Sequence, residues 1–255
     1  MFDLDILVRK FEIFTQNYLN SDSEFPENFN LKYSHTFNVL ENCFNLTKAT
    51  ELEEKIINSA LTACLFHDIG RFPQFKKYGT FNDNESVNHA RLGVGVLCSQ
   101  KFLTDLPDQM RRTVYGAIAL HNRRSIPENI RQELKTVTEI VRDCDKIDIM
   151  RVLLDSISSP DENGNVPFLG LKEIPEMLSE NILLSINKHQ SALYSDMKCV
   201  NDFRLMLLSW SYDLNFRWSR QEIIRRGYIN KIFGSLPDVR QIKELRPEIL
   251  KVLNQ

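Results

Sequence analysis

Five histidines occur in the 255-residue sequence, and four of them, His35, His67, His89 and His121, fall in its first half. His67 is followed directly by Asp68, and two more acids, Asp143 and Asp145, lie in the run RDCDK. Imidazole nitrogens and carboxylate oxygens move protons, and they also bind transition metals. His67 follows Ala60, Ala63 and Cys64 by seven, four and three residues. His121 follows Val114, Ala117 and Ile118 in the same way, and Asp145 follows Val141 by four. At helical spacing these polar groups point where apolar side chains point, into a core. An imidazole or carboxylate buried alone is costly. Several converging from different helices point to a metal site, as in bundles with carboxylate and histidine ligands.

The elements that must position these groups read as helices. Glycine and proline are sparse, and alternating apolar patterns are scarce. The spacing predicts helices over 2–19, 31–47 and 51–66, with 21–30 as a loop and Gly70 and Pro73 ending the third helix. Residues 71–87 carry loop chemistry. Further helices are expected over 88–102, from Pro107 to about His121, and over 128–158 in one or two pieces. Gly93 and Gly95 inside the 88–102 helix read as close helix packing, since each costs about 1 kcal/mol relative to alanine. The stretch SSPDENGNVPFLG, 158–170, is the clearest break, and helices over 172–190, 198–226 and 238–253 follow. The expected fold is all-α, with a helical core over 1–158 and a C-terminal helical extension, 171–255, packed on it.

LFHDIGRF at 65–72, with YSHTFNV before it and RDCDKID after it, resembles the HD-domain superfamily of metal-dependent phosphohydrolases. The resemblance covers roughly residues 30–155 and implies that His35, His67, Asp68 and Asp145 hold one metal. Asp143 and Asp145 are two apart, about 200° around a helix, so they do not face the same way. The family form Asp-x-Asp-Lys favours Asp145. NHARLG and AIALHNR resemble the extra motifs of the two-metal branch. His89 and His121 would then hold a second metal, bridged by Asp68, or else would bind phosphate beside a single one. Iron or manganese is favoured, with zinc, cobalt and nickel also compatible with mixed nitrogen and oxygen ligands.

The family chemistry implied is hydrolysis of a phosphoester or phosphoanhydride in a small, nucleotide-like substrate by a metal-activated hydroxide. The alternative on the same ligands is an HD-type diiron oxygenase acting on a small polar substrate. A third reading is a binding module with a degenerate site, against which the complete ligand set argues. Asp68, Arg71 and Lys146 are the expected catalytic residues, with Arg71, Lys146, Asn122 and Arg123 touching substrate. No Gly-Tyr-Pro motif of the cyclic-di-GMP branch occurs, and Arg71 and Phe72 stand where alarmone hydrolases carry acids.

The net charge of −2 gives no support to broad nucleic-acid or membrane-surface binding. No apolar run of membrane-spanning length and no signal-peptide pattern occurs, so a cytoplasmic protein, with a homodimer allowed, is the expectation. Cys43, Cys64, Cys98, Cys144 and Cys199 form no CxxC pair and read as buried small hydrophobes in a reducing compartment. Trp210, Tyr212, Trp218 and Tyr228 read as a packing stripe against the first helical core, and His189 as a surface residue.

Overall fold

A computed structural model describes residues 2–20, 26–158 and 171–255. The described residues form helices and no strand, as the residue spacing predicts. The helices are α1 (Leu4–Leu19), α2 (Pro26–Lys48), α3 (Glu54–Phe66), α4 (Arg71–Tyr78), α5 (His89–Ser99), α6 (Asp108–Leu120), α7 (Gln132–Ser158), α8 (Glu180–Asn187), α9 (Val200–Ser209), α10 (Arg217–Arg225), α11 (Tyr228–Ser235) and α12 (Arg240–Leu253). The chain divides into two compact units, 1–145 and 146–255. The division falls inside α7, upstream of the predicted break, whose residues 159–170 lie outside the described ones.

In the first unit α3 is the central helix. Every residue from Ser59 to Phe66 is buried, so its apolar surface is covered all round by neighbours that include α1, α2 and α6. Aromatic rings fill the space between α1, α2, α3 and α4. Phe11 is fully buried and meets Tyr33, Phe37, Phe66 and Phe72 at centroid separations of 6.1, 5.9, 6.2 and 6.0 Å. Phe11→Ala is therefore expected to cost about 3–5 kcal/mol, the usual penalty for emptying a phenylalanine site. Chemical denaturation of the full chain would measure it, and a loss under about 1 kcal/mol would mean the cluster closes over the gap.

Two local expectations for this unit need correction. The predicted loop at 21–30 gives way to helix from Pro26, because proline suits a first helical position, while 21–25 lie outside the described residues. Residues 71–78 form α4 rather than a loop. Pro73 sits in its first turn, where a missing N–H costs nothing, and Gly79 closes it at φ +67° with its N–H donating to the Phe75 carbonyl at 2.8 Å. Gly70 permits the close approach of α4 to α5. A Cβ there would lie 2.1 Å from the His89 carbonyl oxygen and 2.6 Å from the Gly93 nitrogen. Gly93 takes part in this packing as expected, whereas Gly95 faces open space.

The second unit repeats the plan around α9, buried from Val200 to Ser209. Several of its buried polar groups are paired locally. The Asp202 carboxylate accepts from the Ser179 N–H and hydroxyl at 2.8 and 2.6 Å, and Arg204 pairs with Glu173 at 2.6 Å. Trp210 and Tyr228 are buried in this unit's own core, with Tyr212 and Trp218 packed against it. The predicted 172–190 helix is helical only over Glu180–Asn187. The predicted 198–226 helix breaks after a 3-10 turn at Trp210–Asp213. Arg220 donates to the freed Leu214 carbonyl at 2.9 Å, and Lys146 donates to the Asp213 carbonyl at 3.3 Å, so the break leaves those acceptors paired. His189 is exposed and stacks on Tyr212 at 5.0 Å.

Candidate metal centre

Three helix ends and two helix interiors of the first unit deliver six donors to one place. His35 comes from the middle of α2, and His67 and Asp68 directly follow α3. His89 opens α5, whose N-cap Asn88 accepts from the Arg91 N–H at 2.9 Å. His121 directly follows α6, and Asp145 projects from α7. The four histidines and Asp68 are each no more than 5% exposed.

The donors form two groups. His35, His67 and Asp145 make one, and Asp68, His89 and His121 the other, with ligand atoms inside each group within 4.8 Å of one another. The Nε2 atoms of His35 and His67 are 3.3 Å apart, and Asp145 Oδ1 lies 3.1 Å from His35 Nε2. His89 and His121 bring their Nε2 atoms to 3.2 Å. Asp68 touches both groups. Its Oδ2 is 3.7 Å from His35 Nε2 and 3.8 Å from His67 Nε2, and its Oδ1 is 3.4 Å from His89 Nε2.

The outer nitrogens decide what the inner ones can be. His121 Nδ1 faces the Ile118 carbonyl at 2.7 Å, and His67 Nδ1 faces the Cys64 carbonyl at 2.8 Å. A carbonyl only accepts, so both Nδ1 atoms carry the hydrogen and both Nε2 atoms of the neutral rings carry a bare lone pair. His89 Nδ1 likewise donates to Asp83 at 2.8 Å. Two lone pairs therefore face each other at 3.2 Å between His89 and His121, with a carboxylate oxygen beside them. A proton does not resolve this conflict. Burial, aided by His89 and His67, pushes His121 down to about 3, and burial also lowers His89. Acceptors that converge with no hydrogen between them fit a cation. The residues present thus suit a divalent transition metal.

The carboxylates are ready for the same role. Burial pushes Asp68 up, but Lys32, His67, Arg71 and His89 outweigh it and hold the carboxyl well below the usual carboxylate range. Asp145 behaves alike: burial raises it, but the neighbouring His35 and His67 outweigh that and hold its carboxyl well below the usual carboxylate range. The choice between the two acids of the Asp-x-Asp-Lys run follows the helix geometry, with Asp145 facing the histidines and Asp143 fully buried elsewhere on α7.

The expected substrate-binding residues are placed differently from one another. Arg71 is at the site, but it is heavily engaged: Nε reaches Asp68 at 3.3 Å, and Nη1 reaches Gln74, Asp83 and the Phe81 carbonyl. Asn122 gives its amide to Asp83 at 3.1 Å. Arg123 is exposed. Lys146 pairs with Asp213 at 2.6 Å inside the second unit. Three contributors escaped the sequence reading. Lys32 places Nζ 2.7 Å from Asp68 Oδ2, and its position three residues before His35 on one helix was the available signal. Asp83, in the loop before α5, accepts from His89, Gln74, Arg71 and Asn122, which holds its carboxyl down at about 2 despite burial. Arg142, buried on α7, donates to the His121 carbonyl at 3.2 Å and to the Arg123 and Arg124 carbonyls, closing the end of α6. No helical pattern announces the last two, because Asp83 lies in a loop and the carbonyl partners of Arg142 are on another helix end.

Residues 33–150 match the family model described as HD domain. This stretch is an HD domain. HD domains are in general metal-dependent hydrolases, in accord with the donor set that this stretch carries. No curated protein and no solved structure matches the chain. Among the described residues no helix of the HD domain or of the second unit is long and apolar enough to cross a membrane.

Chelation should loosen the HD domain, since it leaves the converging lone pairs unpaired. With metal at about a hundredfold its dissociation constant, binding adds about 2.7 kcal/mol. A drop in melting temperature of roughly 5–10 °C on adding chelator is expected for a chain of this size. Calorimetry with and without chelator checks it, and an unchanged transition would count against a metal at these residues.

Proposed function

We propose that this protein hydrolyses a phosphoester or phosphoanhydride bond in a small, nucleotide-like substrate, using two metal ions held by His35, His67, Asp68, His89, His121 and Asp145. The observation that carries the reading is Asp68, whose two oxygens face two separate donor groups. Iron or manganese suits the mixed nitrogen and oxygen donors best. Ions bound there would supply Lewis acidity, making a shared water acidic enough to ionise near neutral pH and offsetting phosphoryl charge.

The chain's own residues do the rest. Asp68 and Asp145 stay ionised and bring negative charge to the centre. Asp83 holds the His89 ring so that Nε2 is an acceptor, and the Cys64 and Ile118 carbonyls do the same for His67 and His121. Lys32 and Arg71 bring positive charge to the other side of Asp68. Both cations lie over the half-buried Phe81 ring, at 5.4 and 5.9 Å from its centroid. Cations at this position suit the phosphate of such a substrate.

The test is turnover of a panel of nucleotide and non-nucleotide phosphoesters by gently purified, metal-analysed protein, with and without oxygen. Phosphate or nucleoside release that is unchanged in the absence of oxygen is expected. Iron content with oxygen-dependent turnover and no phosphoester cleavage would replace this reading with the diiron oxygenase. Lys32→Ala is expected to keep the metal content and to lower kcat/KM by about tenfold to a hundredfold, the worth of one charge-assisted hydrogen bond. An unaltered kcat/KM would remove Lys32 from the substrate's path.

A further inference from the structure

Three cysteines of the HD domain meet at one point. Cys43 comes from α2, Cys64 from α3 and Cys144 from α7, and their Sγ atoms all lie within 4.8 Å of one another. All three are fully buried as free thiols. Of the five cysteines expected to be buried small hydrophobes, these three are buried and also form a cluster drawn from helices far apart in sequence. Cys98 is exposed, and Cys199 belongs to the second unit, where its thiol donates to the Met177 carbonyl at 3.4 Å.

We propose that Cys43, Cys64 and Cys144 form a second, separate metal site for a thiophilic d10 cation, coordinated by three sulfurs. Sulfur donors select soft ions, whereas the imidazole and carboxylate donors of the neighbouring centre suit harder ones, so the two sites draw on different metals. Binding converts three thiols to thiolates and releases three protons to solvent. A divalent ion with three thiolates leaves one negative charge, the smallest net charge this donor set reaches with a monovalent or divalent ion, and a buried site favours the smallest charge. Zinc, with cadmium as its spectroscopic stand-in, is the class of ion implied.

The site has structural leverage. The Cys64 carbonyl holds the His67 ring, the Cys144 carbonyl accepts from Asn42 at 3.2 Å, and Cys144 immediately precedes Asp145. An ion bound to the three sulfurs would tie together the helices that carry His35, His67 and Asp145. Its effect would be on stability and on the rigidity of the donor framework, and it would not touch substrate.

The test is titration of the full-length protein with cadmium, followed by ultraviolet thiolate-to-cadmium charge-transfer absorbance and by proton release. Carboxylate and imidazole ligands give no such band, so the neighbouring centre is silent. One equivalent of cadmium should saturate the band, and Cys98→Ser should leave it unchanged. Cys43→Ser should abolish it while retaining the helical circular dichroism and the metal content of the histidine centre. No band in the folded wild-type protein would show the three thiols to be packing alone. A band lost in Cys98→Ser would assign it to the surface thiol, and either outcome overturns the proposal. Because Cys98→Ser keeps the cluster intact, the conclusion does not depend on whether Cys43→Ser folds.

Discussion

Asp68→Ala is expected to release both metal equivalents and to reduce turnover about 10⁴-fold or more, a loss of ~5.5 kcal/mol in transition-state stabilisation. The geometry concentrates everything on this carboxylate. One oxygen lies 3.7 and 3.8 Å from the inner nitrogens of His35 and His67, and the other 3.4 Å from that of His89. The donor set has only two carboxylates, and losing one leaves Asp145 alone to offset any cation. Lys32, 2.7 Å from Asp68, would then face the centre without that partner, and Arg71 would lose its Asp68 contact while keeping Asp83, so positive charge would repel cations from the site. Elemental analysis of the purified variant beside wild type provides the measurement. Asp68→Asn keeps the shape without the charge, and it should fail in the same way if charge is the cause. A variant retaining a full metal complement and more than a tenth of the activity would show the site to be wrongly assigned.

His121→Ala separates one ion from two. Its Nε2 reaches His89 at 3.2 Å and belongs to the group with Asp68 and His89, while His35, His67 and Asp145 keep all three of their donors. About one metal equivalent should be lost and one retained. Activity should fall about a hundredfold or more, since one ion of a two-metal site contributes several kcal/mol. A second readout does not depend on substrate. The variant removes one of the two facing lone pairs, so the melting-temperature gap between metal-loaded and chelated protein should narrow. Unchanged metal content together with an unchanged gap would mean that His89 and His121 bind no ion and that the centre is mononuclear.

The helical architecture was legible because each amphipathic segment declares its period locally. Where it was not legible, a first-turn position or a distant partner overrode the local signal. Pro73 reads as a stop, yet it sits harmlessly in the first turn of α4. The stretch around Trp210–Asp213 reads as continuous helix, yet Lys146 and Arg220 take its carbonyl groups. Lys146, a cation adjoining the donor Asp145, was an expected substrate contact, and only the fold pairs it with Asp213.

Helical spacing in the sequence aims His67, His121 and Asp145 at the core, and the resemblance to HD domains added His35, Asp68 and His89 to the candidate donors. Residue spacing cannot say how those helices meet. Only the tertiary structure set the lone pairs of His89 and His121 against each other at 3.2 Å, turned the two oxygens of Asp68 toward separate groups, and placed Asp83, Lys32 and Arg142 behind them. It also gathered Cys43, Cys64 and Cys144 from three helices into one cluster. The physical reason is the same throughout: periodicity fixes where a side chain points from its own helix axis, and packing between helices fixes what it then meets.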